Sequence, residues 1–270
     1  KYETTKYEES NDNYSIGWDW KNKTNTNEKE LILNIDFEYD NIGSNEVFRR
    51  YKKKHSKHLI KKKDNQTKDI IDFNYEDLAD EKYRGKICTR SGKHPYNVAL
   101  IASMIAEHGE ADTLTWLEKV KANLARKPQG SDRAQVQAIH QNLCDISLGN
   151  SYYFGNMLND EKQKVWADAV NINFPNQSNR GAHVNISGMA MAKYAPNKAN
   201  ALTLMNFLVS EPAQKMYAQT NMEYPVRPGV QPSKLVASWG QFKADNLSLE
   251  TIAKHRKAAL ILLDKAQFDL

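Results

Sequence analysis

Apolar residues recur at two different periods along this chain, and the period separates predicted helices from predicted strands. Beyond residue 74, apolar residues three or four positions apart predict helices, and short alternating or wholly apolar runs predict strands. The helical runs are NVALIASMIAEHG, ADTLTWLEKVKANLA, DRAQVQAIHQNL, KANALTLMNFLVS and SLETIAKHRKAALILLDKAQ. The strand-like runs are CDISLGN, VNINF and HVNISGMAMA. Helices that alternate with short strands predict a layered α/β fold.

Residues with special backbone preferences predict where several of these helices begin and end. Gly109 is expected to stop the first helix, because glycine adopts helix-terminating conformations easily. Ser131, Asn197 and Ser248 precede helical runs and are expected to act as N-caps. Pro212 is expected to open a further helix, since its fixed φ angle suits a first turn.

The pattern is different before Asn74, where the chain is rich in Asn, Lys, Asp and Tyr and poor in Ala and Leu. LILNIDFEYD alternates well enough to predict one strand. RRYKKKHSKHLIKKK, residues 49–63, is a basic block that we expect to form a solvated, charged face. Binding of this block to nucleic acid or to an anionic membrane is a weaker alternative, because no aromatic platforms interleave with the basic residues.

Length, charge and composition exclude only a few classes of function. The chain of 270 residues is long enough for one large or two small domains, and its net charge of +5 is spread over many lysines. We therefore expect no nucleic-acid partner. No apolar run is long enough to predict a transmembrane segment. The sequence starts at Lys1 without an apolar leader, so a signal peptide is expected to be absent or already removed.

Two adjacent tyrosines, Tyr152 and Tyr153, follow the point where the CDISLGN strand breaks at Gly149. If the chain turns there, both side chains can converge on one point from a turn or a first helical turn. Such a pair is usually explained by packing. The alternative is a hard cation, because phenolate is a hard oxygen donor and its pKa of ~10 requires a strong Lewis acid to hold it deprotonated at neutral pH. Ferric iron is such a cation.

Long segments around this pair resemble the periplasmic ferric-ion-binding proteins, the iron-capturing components of ABC importers. The segments are RGKICTRSGKHPYNVALIASMIAEHG, CDISLGNSYYFGNM, NQSNRGAHVNISGMAMAKYAPN, NFLVSEPAQKMYAQTNMEYPV and GVQPSKLVASWGQFKAD. The resemblance implies a class II periplasmic-binding-protein fold, with α/β/α layers and iron between two lobes. Residues 75–182 would form the ligand-binding second lobe, and residues 183–270 the return segment with a closing helix. Residues 1–74 stand where the usual first lobe belongs and do not resemble it, so that lobe is expected to be atypical or incomplete.

The resemblance also implies the ligands of Fe(III). Tyr152 and Tyr153 match the paired tyrosine ligands of the family, and Tyr96 in KHPYN matches the third tyrosine of the tyrosine-rich subgroup. Three phenolates would neutralise Fe³⁺ and make its burial tolerable. No first-lobe ligand can be named; His55 and His58 are candidates only by residue type.

An anion site is implied beside the tyrosines, because some family members hold a synergistic anion such as carbonate. Ser91 and Gly92 lie in a turn before a helix, where free N–H groups suit an anion. Asn150 matches a nearby polar position, and Arg90 is expected either to screen the phenolates, to bind the anion or to lie in solvent.

The two cysteines, Cys88 and Cys144, are too few for a disulfide framework and form no metal-binding pair. Cys144 lies on the CDISLGN strand, and Cys88 lies on the strand that is expected to follow a short helix in YEDLADEKYRGKICTRS. Both strands lead toward the tyrosine loops. If those strands are neighbours, a disulfide is possible, and an oxidising periplasm would permit it.

We therefore predict a periplasmic solute-binding protein that chelates ferric iron and delivers it to an ABC permease. No nucleophile–base pair or paired carboxylates occur, so an enzyme is not expected. Two alternatives stay open. One is a binding protein for another anion or metal complex, and the other is a non-binding remnant or interaction protein with an incomplete cleft.

Overall fold

The computed structural model describes residues 73–270 and the backbone of residues 53–62. The strand predicted in LILNIDFEYD lies outside the described residues, as do the side chains of His55 and His58.

Five strands and eight helices occur in the described part of the chain. The strands are β1 (Lys53–Lys62), β2 (Ile87–Cys88), β3 (Ile146–Asn150), β4 (Val170–Asn173) and β5 (Val184–Ser187). The helices are α1 (Pro95–Ala122), α2 (Asp132–His140), α3 (Ser151–Leu158), α4 (Lys164–Ala167), α5 (Lys198–Leu208), α6 (Glu211–Thr220), α7 (Lys234–Ala237) and α8 (Leu249–Lys265). Two short 3-10 helices, Glu76–Ala79 and Glu81–Tyr83, precede β2. None of the helices between residues 73 and 270 is both long enough and apolar enough to cross a membrane.

The chain divides into two compact units. One combines residues 1–52 with 187–213, and the other combines residues 53–186 with 214–270. All the candidate site residues lie in the second unit, together with β1–β4 and α1–α4. The lobe assignments made from the sequence for residues 1–74, 75–182 and 183–270 remain predictions.

The sheet has the strand order β2-β3-β1-β4, and β5 also pairs with β1. β1 runs antiparallel to β3 and β4, whereas β2 and β3 are parallel. β1 comes from the basic block, for which the sequence analysis predicted a solvated face and no strand, so that prediction missed a strand that pairs on both sides. Its sequence, KKHSKHLIKK, lacks the alternation by which a strand is recognised. The Cα of Lys57 lies opposite that of Asn150, so β1 runs along β3 to the end that leads into the tyrosine pair.

The larger core forms where α1 packs against α8. Gly109 interrupts α1 with a φ of 79° and a ψ of 171°, which confirms the predicted break, although helix resumes directly after it. The core side chains of the two helices are Val98, Leu100, Ile101, Met104, Leu117, Val120, Leu262 and Leu263. This packing holds the N-terminus of α1 in place, and the candidate site begins there.

Two of the predicted N-caps are confirmed by their hydrogen bonds. Ser131 Oγ accepts from the Ala134 N–H at 3.4 Å, and Ser248 Oγ accepts from the Thr251 N–H at 3.1 Å. Asn197 precedes α5 without a side-chain capping bond. Pro212 is the second residue of α6.

A disulfide joins Cys88, at the end of β2, to Cys144, just before β3. The two Cα atoms lie 5.9 Å apart. The bridge is buried in a second apolar cluster that includes Val136, Ile139, Phe154, Met157 and Val170. It therefore ties together the two parallel strands from which the chain continues toward Tyr96 and toward Tyr152.

Two tyrosines outside the candidate site, the buried Tyr75 and the half-buried Tyr224, differ in how their hydroxyl groups are satisfied. Tyr75 Oη accepts from the His183 N–H at 3.1 Å, whereas buried Tyr224 Oη has no hydrogen-bond partner among the described residues. Burial raises the pKa of both phenols above its ordinary value, and for Tyr75 the Arg180 charge opposes part of that rise. The folded protein consequently keeps both phenol protons at pH values where the unfolded chain loses them.

Phenylalanine substitutions should separate these two environments. Tyr75→Phe leaves a buried N–H of His183 unpaired, so we expect the free energy of unfolding at pH 7 to fall by about 1–3 kcal/mol. Tyr224→Phe removes a hydroxyl that has no such bond, so we expect it to be neutral or to stabilise by less than about 1 kcal/mol.

Both variants should also be less sensitive to alkali than the wild type. A raised folded-state pKa means that the unfolded chain binds fewer protons above pH ~10, so stability is complete below that pH and falls as the pH rises further. Urea unfolding at pH 7 and at rising alkaline pH measures both effects. Equal losses for the two variants at pH 7 would contradict the assignment.

Candidate metal centre

Tyr96 projects from the first turn of α1. His94 is the N-cap of this helix, and its Nδ1 accepts from the Tyr96 N–H at 3.3 Å. The His94 ring also packs edge-on against the Tyr96 ring, with the ring centroids 4.5 Å apart. The cap and the ring contact together fix where the third predicted tyrosine ligand points.

Tyr152 and Tyr153 occupy the first turn of α3, directly after β3. This is the turn or first-helical-turn arrangement in which the sequence analysis expected adjacent side chains to converge. Their ring centroids lie 4.2 Å apart. Gly155 lets α3 approach Met222, since a Cβ atom there would lie only 2.6 Å from the Met222 Cβ. α3 therefore packs closely against Met222, and this packing positions Tyr152 and Tyr153.

Tyr96 and Tyr152 meet through their hydroxyl groups, and the Tyr153 ring packs beside Tyr152. Tyr96 Oη and Tyr152 Oη are 3.0 Å apart and share a hydrogen bond. Burial, and then hydrogen bonds with Tyr153 and Tyr96, hold the pKa of Tyr152 well above its ordinary value. Burial also raises the pKa of Tyr96, although the hydrogen bond with Tyr152 opposes that rise. These two phenols are consequently neutral at pH 7.

Two arginines flank the tyrosines. The Arg90 guanidinium lies 5.4 Å from the centroid of the Tyr96 ring, and the Arg133 guanidinium lies 5.8 Å from that of Tyr153. Arg90 also pairs with Asp132 at 2.9 Å, and both side chains are largely buried. Arg90 is therefore not the solvent-exposed side chain that the sequence left as one alternative.

Asp132 and Arg133 were missed as site residues. In the sequence they read only as the start of the helical run DRAQVQAIHQNL. An Asp in the first turn of a helix is ordinary, because it complements the helix dipole, so no local signal distinguishes this one.

The turn predicted to bind an anion is held by a carboxylate of the chain itself. Asp269 Oδ2 accepts from Ser91 Oγ at 2.7 Å, and Asp269 Oδ1 accepts from the Gly92 N–H at 2.7 Å. Gly92 lies so close to the C-terminal segment that an added Cβ would be 2.5 Å from a Leu263 methyl carbon. Ser91 and Gly92 thus anchor the start of α1 on the end of the chain in this structure.

Replacing Asp269 should loosen this anchor. We expect Asp269→Asn to lower the free energy of unfolding by about 1–3 kcal/mol, because it removes charge-assisted acceptors from two partly buried donors. Asp264→Asn is the matched control, since Asp264 pairs with Lys93 of the same turn but is exposed. An exposed pair contributes about 0–1 kcal/mol. Urea denaturation of both variants makes the comparison, and equal losses would contradict the role of Asp269.

Asn150 lies at the end of β3, immediately before α3, and is almost fully buried. Its N–H donates to Asp132 Oδ2 at 2.9 Å, and its side-chain oxygen accepts from Asn185 Nδ2 at 3.3 Å. Within the described residues, Asn150 Nδ2 and Arg90 Nε have no hydrogen-bond partner. These buried donors are the polar atoms beside the tyrosines that remain available for a further acceptor.

Carboxylate, imidazole and thiol groups do not form an alternative metal centre in the described part of the chain. No group of three or more His, Cys, Asp and Glu side chains there could hold a metal ion. Among the described residues, the candidate ligands of a cation at this position are therefore the phenolic oxygens of the tyrosines.

Comparison with known proteins places the chain in a family. Residues 63–243 match the bacterial extracellular solute-binding proteins, and the chain belongs to that family. This membership confirms the predicted class, a solute-binding protein, and the family is not one of enzymes.

Several proteins similar to this chain are iron-uptake or ferric iron-binding proteins. The chain is 44% identical to iron uptake protein A1 of Synechocystis over 71% of its own length and 54% of that protein. It thus spans about half the length of this relative.

Solved structures show the same fold. The apo ferric ion-binding protein A of Pasteurella haemolytica is 52% identical, with a TM-score of 0.79 over 82% of this chain and 69% of that chain. A Trichodesmium protein in complex with iron and citrate is 38% identical, with a TM-score of 0.76 over 81% of this chain and 69% of that chain. The predicted α/β fold of the class II periplasmic-binding-protein type is confirmed by these likenesses.

Proposed function

We propose that this protein chelates ferric iron through the phenolates of Tyr96, Tyr152 and Tyr153 and delivers it to an ABC permease. The observation that carries the proposal is the 3.0 Å contact between the Tyr96 and Tyr152 hydroxyls, with the Tyr153 ring packed beside Tyr152. Three phenolic side chains from two helix starts are thereby gathered within the second unit. The names of the similar proteins, ferric ion-binding protein A and iron uptake protein A1, support the choice of iron.

The donor set suits Fe³⁺ in charge and in hardness. Three phenolates supply three negative charges, which neutralise the cation in a partly buried site. Because the pKa values of Tyr96 and Tyr152 are raised in the iron-free protein, iron must displace their protons. Iron binding is therefore coupled to proton release and weakens as the pH falls.

A synergistic anion such as carbonate would use Arg90 and Asn150 in this site. Their unpartnered Nε and Nδ2 atoms are donors beside the tyrosines. Ser91 and Gly92 are less suitable than the sequence suggested, because Asp269 already accepts from both. The pairing of Arg90 with Asp132 also neutralises part of the charge that would attract an anion.

We further propose that the protein works in the periplasm. The family consists of extracellular solute-binding proteins, and the Cys88–Cys144 disulfide is the form expected in an oxidising compartment.

Addition of ferric iron to the purified, metal-free protein tests the proposal. We expect a purple phenolate-to-iron charge-transfer band that saturates at one iron per chain. Titration in carbonate-free buffer, with and without added bicarbonate, measures any anion requirement. Folded protein that stays colourless under both conditions would overturn the proposal and would favour a non-binding remnant.

A ferric complex with an organic acid is a second candidate cargo. The iron and citrate bound to the similar Trichodesmium protein favour this alternative. Titration with ferric citrate labelled in its citrate moiety distinguishes the two cargoes. Retention of the label with the iron would support the complex, and its loss would support the bare ion.

A further inference from the structure

Asp132 is a buried carboxylate that bonds to one residue beside Tyr96 and to one residue just before Tyr152. Only 3% of its side chain is exposed. Its Oδ1 accepts from Arg90 Nη1 at 2.9 Å, and its Oδ2 accepts from the Asn150 N–H at 2.9 Å. The two oxygens thus bind two segments of the chain that are far apart in sequence.

Each of these partners leads directly to a tyrosine. The Arg90 guanidinium packs over the Tyr96 ring, so fixing Arg90 limits the positions available to that ring. Asn150 is the N-cap residue of α3, and its side chain makes no capping bond, so its backbone position relies on other contacts. Fixing the Asn150 N–H therefore fixes the turn from which Tyr152 and Tyr153 project.

The first turn of α2 is well suited to hold this carboxylate. Asp132 follows the Ser131 N-cap, where the helix dipole favours a negative charge. The next residue, Arg133, lies over the Tyr153 ring. One helix start consequently contacts Arg90, Asn150 and the Tyr153 ring. The described hydrogen bonds of Asp132 do not include a phenol oxygen.

Burial makes the bonds from Asp132 to Arg90 and to the Asn150 N–H rigid. Removing one member of a buried ion pair leaves an uncompensated charge, which is strongly unfavourable, so Asp132 and Arg90 constrain each other tightly. An exposed pair would impose no such constraint. The Asn150 bond adds a second, differently directed restraint on the same carboxylate.

We propose that Asp132 is a positioning residue of the iron site, which aligns Tyr96 with Tyr152 and Tyr153 by holding Arg90 and the Asn150 N–H at once. This inference rests on the proposed function. Residues that orient metal ligands in this way typically contribute about 10–100-fold to metal affinity.

Asp132→Asn tests the proposal, because asparagine preserves shape and keeps an acceptor for one bond but removes the ion pair. We expect the ferric affinity, measured by competition with citrate, to fall by about 10–100-fold. We also expect the charge-transfer band to shift or weaken, because the phenolates no longer meet the iron in the same geometry. Asp168→Asn is the matched control, since Asp168 is an exposed carboxylate paired with Lys164. It should match the wild type in both affinity and spectrum.

Arg90→Lys keeps the proposal testable if Asp132→Asn folds poorly, and a double-mutant cycle combines the two variants when both fold. Lysine preserves the charge but lacks the planar guanidinium that packs on Tyr96, so Arg90→Lys alone should lower affinity and alter the band. The double variant should lose less than the sum of the two single losses, because the residues act as a unit.

The outcomes separate this inference from the proposed function. No band in the wild type would overturn both. A normal band in the wild type with unchanged affinity and spectrum in Asp132→Asn would overturn the positioning role alone. A rise in affinity would also overturn it, because loss of a residue that aligns the ligands cannot strengthen binding. Strictly additive losses in the cycle would exclude action through Arg90.

Discussion

Tyr152→Phe is expected to lower the affinity for ferric iron by more than about a hundredfold and to remove much of the charge-transfer band. The substitution deletes the oxygen of a proposed iron ligand, so its effect should exceed the 10–100-fold loss typical of residues that only orient ligands. Tyr152 is also the tyrosine whose hydroxyl contacts Tyr96 and whose ring packs on Tyr153. Its loss therefore removes one phenolate and the contact that aligns another.

Phenylalanine variants of the other two tyrosines test the same proposed set of ligands. Tyr96→Phe and Tyr153→Phe should each lose affinity and band intensity, because each removes one of three proposed phenolates. Tyr194→Phe is the matched control, since Tyr194 is 83% exposed and lies outside the cluster. Competition with citrate gives the affinities, and circular dichroism confirms folding. Wild-type affinity in any of the three cluster variants would exclude that tyrosine as a ligand.

Removal of the disulfide is expected to have the largest effect on stability. The Cys88–Cys144 bridge closes a segment with a sequence separation of 56, for which loop-closure entropy predicts about 4 kcal/mol of stabilisation. The bridge also lies inside an apolar cluster, so the double variant Cys88→Ala and Cys144→Ala leaves space in that cluster as well. We expect the free energy of unfolding to fall by about 4 kcal/mol or more.

Urea denaturation of the wild type, the double alanine variant and the reduced wild type measures the loss in the free energy of unfolding. Reduction breaks the bridge without deleting side-chain atoms, so the difference between the last two samples isolates the packing contribution. A change of less than about 1 kcal/mol on reduction would contradict a stabilising role for the bridge. The folded fraction of each sample should still give the charge-transfer band, because neither cysteine contacts a tyrosine of the cluster in the described bonds.

The sequence predicted some helices correctly but missed one strand. The helical run NVALIASMIAEHG and the break at Gly109 follow from residues close together in the chain, and the structure confirms both. β1 was missed because a lysine-rich strand has no apolar alternation, and only its partners β3 and β4 make it recognisable.

The partner of the turn at Ser91 and Gly92 could not be predicted from the residues of that turn. Ser91 and Gly92 have the features of an anion site, since they precede a helix and offer free donors. Asp269 bonds to both from 178 and 177 positions away, so no inspection of the turn alone could reveal its occupant. Asp132 was missed for the same reason, because its importance depends on Arg90 and Asn150 rather than on its own neighbours.

By itself, the sequence determined the chemistry available to this protein: adjacent phenols after a strand, a third tyrosine at a helix start, capped helices and a pair of cysteines. These features depend on residue type and on spacing within a few turns, where backbone preferences act. Tertiary structure alone decided that Tyr96 meets Tyr152, which lies 56 positions later, and that Asp132 joins both of their segments. The physical reason is that such contacts form when whole helices and strands pack together, so they depend on the combined burial of many residues rather than on any local preference.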